Sequence, residues 1–488
     1  MGVDPLDLPS PHHYDLTPIR ELAEQVFSRT AGASLVTGNG VRLLKDAKEN
    51  YPAWMEAINL AERYIHFESY IMHDDETGRA FGEILAEKAR QGVKVRIIYD
   101  WLGAFRKTSR WFWEHLRKAG AEVRCFNPPQ IESPLGWLTR DHRKMVSVDG
   151  RVGFVSGLCI GRRWAGQPER SIEPWRDTGV EIKGPAVSDI DQAFNQVWSA
   201  TGTPLPEEEL PFQDALPVAG TIALRVIATV PNMAGLYRLD QLIAAIARDS
   251  LWLTDPYFVA STPYVQALCA AAVDGVDVRL LVPGTTDIPV IRALSRAGYQ
   301  PLLEAGVRIF EWNGTMIHAK TAVADGRWAR VGSTNHNLAS WMGNYELDVA
   351  IEDEGFAESM ERMYLEDLHR ATELVLSDRR KIRLTERRHR RRSRYSGKIG
   401  TGSVGRAGAG AIRIGSAVGA AITNRRVLGS TEGKTMFLFA AILATLSIAS
   451  LLWPRWVTVP LAFLGLWFAV SLLIRSYKLY KSDKEKRT

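Results

Sequence analysis

The stretch Asp-His-Arg-Lys-Met-Val-Ser-Val-Asp-Gly at residues 141–150 returns as Ile-His-Ala-Lys-Thr-Ala-Val-Ala-Asp-Gly at residues 317–326. In both stretches the lysine follows the histidine by two residues and the aspartate follows the lysine by five. A pair of small residues then begins seven residues after the aspartate. A chance match of this length at two of ten histidines is improbable, so the stretches indicate two copies of one active-site half.

The segments around these stretches repeat the same order of elements. The first repeat shows a strand pattern at 64–70, a helix pattern at 79–90 and strand patterns at 92–98 and 119–126. The second repeat shows strand patterns at 251–257, 275–281 and 305–310, with a helix pattern that reaches residue 272. Strands that alternate with helices predict an α/β layer fold, so we expect an internal duplication of one α/β unit.

Composition divides the chain into segments. An N-terminal segment at 1–34 precedes the first repeat at 35–200, a linker with four prolines at 201–219, and the second repeat at 220–378. A basic and Gly/Ala-rich tether at 379–434, two apolar runs within 435–474 and a basic tail at 475–488 follow.

The two apolar runs, at 435–453 and 457–474, contain no charged residue. Each is just long enough to cross a bilayer core of roughly 30 Å, and only three residues separate them, so they predict a transmembrane helical hairpin. Lysine and arginine are concentrated on the outer flanks, whereas the loop has Arg455 alone. By the positive-inside rule, the flanks and the catalytic repeats are expected on the cytoplasmic side.

The charge is unevenly distributed. Residues 379–398 contain 11 basic residues and one acid, and residues 399–488 contain 12 basic and three acidic ones. Removing these from the totals of 61 and 55 leaves 38 basic and 51 acidic residues in 1–378, a formal charge of −13. Enzymes that act along nucleic acids usually carry a basic groove, so this balance argues against nucleic acid as the main substrate.

The three cysteines, Cys125, Cys159 and Cys269, have neither a metal-site spacing nor a disulfide framework, which fits a reducing compartment. The first thirty residues lack a basic start followed by an apolar run, so no secretory signal is expected.

The repeated stretch suits phosphodiester chemistry. Residues two apart on a strand share a face, so His142 with Lys144, and His318 with Lys320, are expected to point into one cavity. Two ammonium groups can neutralise the phosphoryl oxygens in the transition state, while one imidazole attacks phosphorus and the other protonates the leaving oxygen. One repeat supplies only one of these imidazoles, so we expect the site at the interface of the two repeats.

The aspartates allow two interpretations. Asp149-Gly150 and Asp325-Gly326, each between apolar runs, are strong signals for a hairpin turn. Asp149 and Asp325 are therefore either catalytic members of the motif or turn formers.

These motifs resemble the HKD motifs of the phospholipase D superfamily, and the arrangement over residues 35–375 most resembles bacterial cardiolipin synthases. The second repeat has the fuller family pattern, with Ser333, Asn335 and Glu346, whereas the first has Asp177 in a comparable place. Cys159 stands where Asn335 stands in the second repeat.

The resemblance implies two phospholipase D-like α/β sandwich domains in a pseudo-twofold arrangement. It implies a phosphohistidine intermediate, with His142 as nucleophile and His318 as acid and then base. Asp177 and Glu346 would orient the imidazoles, and Ser333 would belong to the same substrate-binding or orienting set. Because Cys159 replaces its counterpart in the first repeat, Asn335 alone would contact the phosphate. The mechanism needs no metal or cofactor, and no metal-ligand spacing is evident.

The substrate expected from the resemblance and the anchor is a membrane phospholipid. The first hypothesis is phosphatidyl transfer between phosphatidylglycerol molecules at the bacterial inner membrane, giving cardiolipin and glycerol. The alternatives are a phospholipase D that hydrolyses or exchanges head groups and, more distantly, a nuclease. The basic segment at 379–398 either contacts the anionic leaflet, forms a solvated flank or binds nucleic acid. The insertion at 127–140 either guides acyl chains or is a surface loop.

Overall fold

The computed structural model describes residues 17–129, 139–376 and 382–384, together with scattered residues between 441 and 474. The strands of the first repeat are β1 (Val36–Lys45), β2 (Tyr64–Ser69), β3 (Lys94–Asp100), β4 (Glu122–Phe126), β5 (Lys144–Val148), β6 (Val152–Ser156) and β7 (Thr178–Lys183). Those that follow are β8 (Ile222–Thr229), β9 (Ser250–Thr254), β10 (Asp277–Pro283), β11 (Arg308–Trp312), β12 (Thr321–Ala324), β13 (Trp328–Gly332), β14 (Glu346–Glu352), β15 (Ala371–Leu376) and β16 (Ile382–Leu384).

The helices are α1 (Thr17–Ala31), α2 (Asp46–Asn59), α3 (Glu76–Arg90), α4 (Trp101–Ala104), α5 (Arg110–Lys118), α6 (Arg162–Ala165), α7 (Val187–Ala200), α8 (Gly235–Ile246), α9 (Thr262–Val273), α10 (Pro289–Ala297), α11 (Tyr299–Glu304) and α12 (Glu354–Leu368). Short 3₁₀ turns lie at Pro168–Arg170, Glu207–Glu209 and Gln213–Ala215, and a π turn lies at Ala339–Gly343.

One continuous sheet runs through both repeats. Its order is β16-β15-β11-β10-β9-β12-β13-β14-β8-β1-β7-β6-β5-β2-β3-β4, so the strands of the first repeat mirror those of the second about the central β1–β8 pair. β1 and β8 are antiparallel, with Val36 opposite Leu224. The α/β class and the internal duplication expected from the sequence are both present in this sheet.

The predicted elements differ from the observed ones mainly at their ends. The helix predicted from residue 79 starts at Glu76, because the Asp75 carboxylate accepts the Gly78 N–H at 3.1 Å and caps the helix. The strand predicted from residue 119 starts at Glu122, because Ala119 and Gly120 terminate α5, with Gly120 at φ +106°.

A core between the repeats joins them. Buried side chains of α7, including Phe194 and Trp198, belong to the same apolar cluster as Val331, Val349 and Phe356 of the second repeat. Two further clusters, one in each repeat, lie under α2, α3 and α5 and under α8, α9 and α11. Burial of apolar surface from both repeats in one cluster fixes their relative placement.

The linker expected at 201–219 is attached to the first repeat. Glu209 is buried, and its carboxylate accepts two hydrogen bonds of 2.6 Å from the Arg96 guanidinium. The same carboxylate lies 3.2 Å from the imidazole of the buried His66. The proline-rich linker is therefore fixed to strands β2 and β3 of the first repeat through Glu209.

Several predicted segments lie outside the described residues. They are the insertion core at 130–138, the tether at 379–434 apart from β16, and the hairpin at 435–474 apart from scattered helical positions. Within the described part of the chain, no helix has both the length and the apolar character for a membrane crossing.

Candidate active site

The two motifs meet the sheet at equivalent places. His142 lies two residues before β5, and His318 lies three residues before β12. β5 runs antiparallel to β2 with Lys144 opposite Ser69, and β12 runs antiparallel to β9 with Thr321 opposite Thr254. Both histidines therefore lie at the edge where β2 and β9 end.

Main-chain hydrogen bonds tie each motif to the opposite repeat. The His142 N–H donates to the Tyr345 carbonyl at 2.9 Å, and the His318 N–H donates to the Arg176 carbonyl at 2.7 Å. These bonds bring the residue after each carbonyl, Glu346 and Asp177, beside a histidine of the other repeat.

The side chains form two crossed pairs. Nδ1 of His142 lies 2.9 Å from Oε2 of Glu346, and Nδ1 of His318 lies 2.7 Å from Oδ2 of Asp177. A carboxylate only accepts, so each pair favours the tautomer with its proton on Nδ1 and leaves Nε2 for a reacting group. Each repeat thus provides one histidine and the acid that contacts the histidine of the other repeat.

Both acids are themselves held in place. Ser333 Oγ donates to Glu346 at 2.6 Å, and Asn344 Nδ2 donates to it at 3.2 Å. Asp177 accepts from Trp164 Nε1 at 3.0 Å, and its carboxylate packs over Gly157, where a Cβ atom would lie 2.3 Å from Oδ1. The small residue after the first motif is therefore needed to admit this carboxylate.

The two lysines are buried at the same place. Lys144 and Lys320 are each 1% exposed, and each ammonium donates to the carbonyl of the histidine two residues earlier. The Lys320 ammonium also lies 2.8 Å from Nδ1 and 3.2 Å from Nε2 of His318. Two buried cations at one site form a receptor for an anionic group.

Burial and these cations disfavour protonated imidazole. Burial, with Lys320 next, lowers the pKa of His318 to about 4, and burial also lowers the pKa of His142. The charge of Lys320 lowers the pKa of His142, and the charge of Lys144 lowers the pKa of His318. Each lysine therefore lies within electrostatic range of the histidine of the other repeat. Burial lowers the pKa of Lys320 to about 8.

The surroundings of Asp177 and Glu346 lower the pKa of both carboxyl groups and so favour their ionised forms. Burial opposes the charge of Asp177, but Lys320 and His318 outweigh it and hold the pKa of Asp177 below its ordinary value. Burial likewise opposes the charge of Glu346, but the contacts with His142, followed by Lys144 and Ser333, lower the pKa of Glu346 below its ordinary value. Each acid is thus able to accept from an imidazole at neutral pH.

The structure does not bring the two motif aspartates to the histidines. Asp149 lies beyond the far end of β5, about 16 Å along the chain from Lys144 at about 3.3 Å per residue. Its carboxylate accepts three N–H groups, from Glu62, Arg63 and Tyr64, each at 2.8 Å. Of the two interpretations of Asp149, this geometry favours the turn former, which ties the β5–β6 hairpin to β2.

Asp325 repeats this arrangement in the second motif. It accepts from the N–H groups of Arg248, Asp249 and Ser250 at 2.8 to 2.9 Å, and these bonds lower its pKa although burial opposes them. Asp149 and Asp325 have φ of +57° and +51°, the left-handed conformation that aspartate tolerates in turns. The turn interpretation accounts for both residues.

The remaining predicted residues have different surroundings. Ser333 contacts Glu346, so it is placed to orient this acid. Asn335 is 5% exposed, and within the described part of the chain its Oδ1 has no hydrogen-bond partner. Cys159 is buried, which raises the pKa of its thiol, and its carbonyl accepts the Tyr51 hydroxyl at 2.6 Å.

Comparison with known proteins assigns the family. Residues 54–198 and 241–368 match the family model described as cardiolipin synthase, PLD-like domain. The chain belongs to this cardiolipin synthase family. Cardiolipin synthase A of Pseudomonas fluorescens is 33% identical over 358 residues, which are 71% of this chain and 72% of that protein. A cardiolipin synthase of Alkalihalophilus pseudofirmus is 32% identical over 342 residues, 69% of this chain and 67% of that protein.

The fold of this cardiolipin synthase family member is also found in a solved structure. The crystal structure of phosphatidylserine synthase from Haemophilus influenzae superposes with a TM-score of 0.58 over 72% of this chain and 91% of that chain. The two sequences are 14% identical, so the similarity concerns the fold.

Sequence reasoning missed two arginines that brace the site in this member of the cardiolipin synthase family. Arg143 is buried and donates to the carbonyls of Glu346 and Thr229 at 3.1 Å. Arg176 is buried and forms an ion pair of 2.9 Å with Asp367. Arg143 follows His142 and Arg176 precedes Asp177, and each crosses to the other repeat. Their positions next to these two residues are the sequence signal that could have found them.

Proposed function

We propose that the protein is a phosphatidyltransferase that makes cardiolipin and glycerol from two molecules of phosphatidylglycerol. The observation that carries the proposal is the pair of crossed His–acid contacts, which assemble two imidazoles and two buried lysines into one site. The cardiolipin synthases among the relatives support the choice of lipid.

In the first step, Nε2 of His142 attacks phosphorus and a P–N bond forms. The P–O bond to glycerol breaks, and protonated His318 gives its proton to the leaving oxygen. Lys144 and Lys320 stabilise the phosphoryl oxygens, while Glu346 and Asp177 fix the imidazoles. The product is a phosphatidyl group on His142 and free glycerol.

In the second step, a hydroxyl of another phosphatidylglycerol attacks the phosphohistidine. His318 takes the hydroxyl proton, the P–N bond breaks and cardiolipin leaves. His142 and His318 return to their starting protonation states, so the cycle closes. We assign the nucleophile to His142 by resemblance; its side chain is 12% exposed, against 6% for His318.

The proposal includes the membrane setting. The hairpin predicted at 435–474 would anchor the enzyme in the bacterial inner membrane, with both repeats on the cytoplasmic side. The basic segment at 379–398 would then lie against the anionic leaflet.

The test is to incubate membranes that contain the full chain with labelled phosphatidylglycerol and to separate the lipids. Labelled cardiolipin with release of glycerol supports the proposal. Phosphatidic acid without cardiolipin would identify a hydrolase, and DNA cleavage without lipid turnover would identify a nuclease. His142→Ala and His318→Ala are each expected to abolish turnover, and full activity in either variant would refute the shared site.

A further inference from the structure

Two exposed segments of mixed apolar and basic character occupy equivalent places in the repeats. Residues 101–111 follow β3, and residues 284–297 follow β10, its counterpart in the mirrored sheet. We call these two segments the rim. Its exposed apolar side chains are Leu102, Phe105, Trp111, Ile288 and Leu294.

The edge of the sheet where β2 and β9 end and where both histidines lie is called the catalytic edge. The rim segment of the first repeat begins directly beside it. Asp100, the last residue of β3, accepts the Asp141 N–H at 3.0 Å, one residue before His142. The same carboxylate accepts the Leu102 N–H at 2.8 Å, so it joins the rim to the His142 segment.

The rim segment of the second repeat is equally close to the other histidine. The Tyr257 ring lies 5.9 Å from the His318 ring, and its hydroxyl donates to Asp287 at 2.7 Å. Asp287 also lies 3.6 Å from the guanidinium of Arg163. One side chain therefore separates His318 from the rim.

The two rim segments are linked to each other around the site. The Lys107 carbonyl accepts the Asp74 N–H at 3.0 Å, and the neighbouring Asp75 accepts the Arg162 N–H at 2.8 Å. Arg163 then reaches Asp287 of the second segment. The two rim segments and this connection therefore lie next to the end of the sheet that carries His142 and His318.

The charge of the rim is opposite to that of the folded unit around it. Residues 1–378 have a formal charge of −13, whereas residues 101–111 contain Arg106, Lys107 and Arg110 and no acid. Residues 284–297 contain Arg292 and Arg296 and one acid, Asp287, which is engaged by Tyr257 and Arg163. Both arginines lie near the Glu311 carboxylate, at 3.7 and 2.5 Å, so the first segment supplies most of the positive charge of the rim.

Exposed apolar and aromatic side chains among lysines and arginines match the surface of an anionic bilayer. The rings and aliphatic chains gain by entering the headgroup region, and the cations gain near lipid phosphates. An acidic protein or a nucleic acid would satisfy the cations but would leave Phe105 and Trp111 without an apolar environment.

We propose that the rim docks on the surface of an anionic phospholipid bilayer and holds the catalytic edge against it. This inference rests on the proposed function and deepens it, because it states how a lipid substrate reaches a site whose histidines are almost fully buried. Docking at both flanks would let a lipid enter from the leaflet without crossing water.

The test uses the full chain reconstituted in vesicles of phosphatidylglycerol and phosphatidylcholine. Trp111→Cys carries an environment-sensitive dye, and Leu60→Cys, which is 68% exposed, carries the same dye as the matched control. Leu60 lies at the end of α2, beside the Asp149 turn and thus at the opposite edge of the sheet. Labelled wild-type chain corrects for the native cysteines.

We expect a blue shift and a several-fold loss of iodide quenching for the dye at position 111, and neither for the dye at position 60. Both effects should weaken in vesicles of phosphatidylcholine alone and in the double variant Arg106→Glu/Arg110→Glu, but not in Arg151→Glu, whose side chain is exposed beyond the Asp149 turn. Equal exposure of the two dyes would overturn the docking proposal.

Cardiolipin formation is measured in the same vesicles with the unlabelled wild-type chain. Absence of cardiolipin would contradict the proposed function whatever the dyes report, and dye exposure with normal cardiolipin formation would contradict only the docking. A fall in cardiolipin formation by the Arg106/Arg110 variant, with retention in Arg151→Glu, is expected if docking delivers the substrate.

Discussion

At the scale of single residues, two carboxylates fix in the proposed mechanism which nitrogen of each imidazole reacts. Glu346 and Asp177 are fully buried, and each holds Nδ1 of a histidine from the other repeat. A buried carboxylate that fixes the tautomer and supports the charge of an imidazolium contributes strongly to catalysis without touching substrate.

The first prediction concerns these carboxylates. Asp177→Asn and Glu346→Gln keep the shape of the side chain but remove the charge, and each is expected to lower kcat roughly 10³–10⁴-fold. Initial rates of cardiolipin formation give the measurement. Glu352→Gln on the same strand, whose side chain is 35% exposed, is the matched control and should retain activity. Equal loss in the control would show that strand β14 and not the charge was disturbed.

The second prediction concerns pH. The first step needs one protonated imidazole in the pair His142 and His318. Burial lowers the pKa of both histidines, so this protonated state is depleted in the free enzyme as the pH rises toward neutrality. A bound phosphodiester brings a negative charge that favours this proton and raises the pKa values in the complex. Since kcat/KM reports the free enzyme and kcat the complex, the alkaline limb of kcat/KM should lie at lower pH than that of kcat. Coincident limbs would contradict this.

The sequence could predict the histidines and lysines because the same spacing recurs in both repeats. The strand-face argument for that spacing does not hold in detail, since His142 lies two residues before β5 and both His318 and Lys320 lie before β12. It could not predict that Glu346 serves His142 and Asp177 serves His318, because the crossing depends on how the repeats dock. Arg143 and Arg176 were missed for the same reason, since their partners belong to the opposite repeat.

At the scale of elements, the β5–β6 and β12–β13 hairpins are held at their turns and carry the motif histidine and lysine at their other ends. Each turn is tied to the start of a neighbouring strand by an aspartate carboxylate. The Asp-Gly pattern predicted the turns, but the three N–H groups that each carboxylate accepts come from a segment about 75 to 87 residues away. No local pattern reveals such a contact.

The third prediction separates anchoring from catalysis. Asp149→Ala removes three charge-assisted hydrogen bonds and places alanine at a positive φ, so it should lower the free energy of unfolding by roughly 2–4 kcal/mol. Asp149→Asn keeps one acceptor and tolerates the turn, so it should lose less. Thermal unfolding measures the stability, and kcat of the protein that remains folded should stay within about tenfold of wild type. A much larger fall in kcat with unchanged stability would restore a direct catalytic role.

At the scale of the whole molecule, the repeats behave as one body because they share a sheet and a core. The internal repetition predicted two units of one plan, but periodicity does not reveal that the sheet would be continuous through β1 and β8. The proline-rich stretch predicted a linker but not its attachment, and Glu209 holds this linker to Arg96 and His66. These partners lie more than a hundred residues before Glu209, beyond any local signal.

The fourth prediction tests this unity. A protease site introduced at Phe212, which is 82% exposed, allows the linker to be cut after folding. The cut chain should keep its activity and elute as one species, because the shared core and the crossed pairs hold the halves together. Separation of the halves, or loss of turnover on cleavage, would show that the covalent connection is required. Uncut protein carrying the same insertion is the control.

The crossing of the two His–acid pairs has a consequence for each repeat on its own. A single unit of this plan carries a histidine and an acid that face outward to the opposite unit and cannot serve each other. Such a unit would complete the two crossed pairs of one active site only by closing with an identical copy around a twofold axis. In one polypeptide the two units need not be identical, and they differ where the first repeat has Cys159 and the second has Asn335.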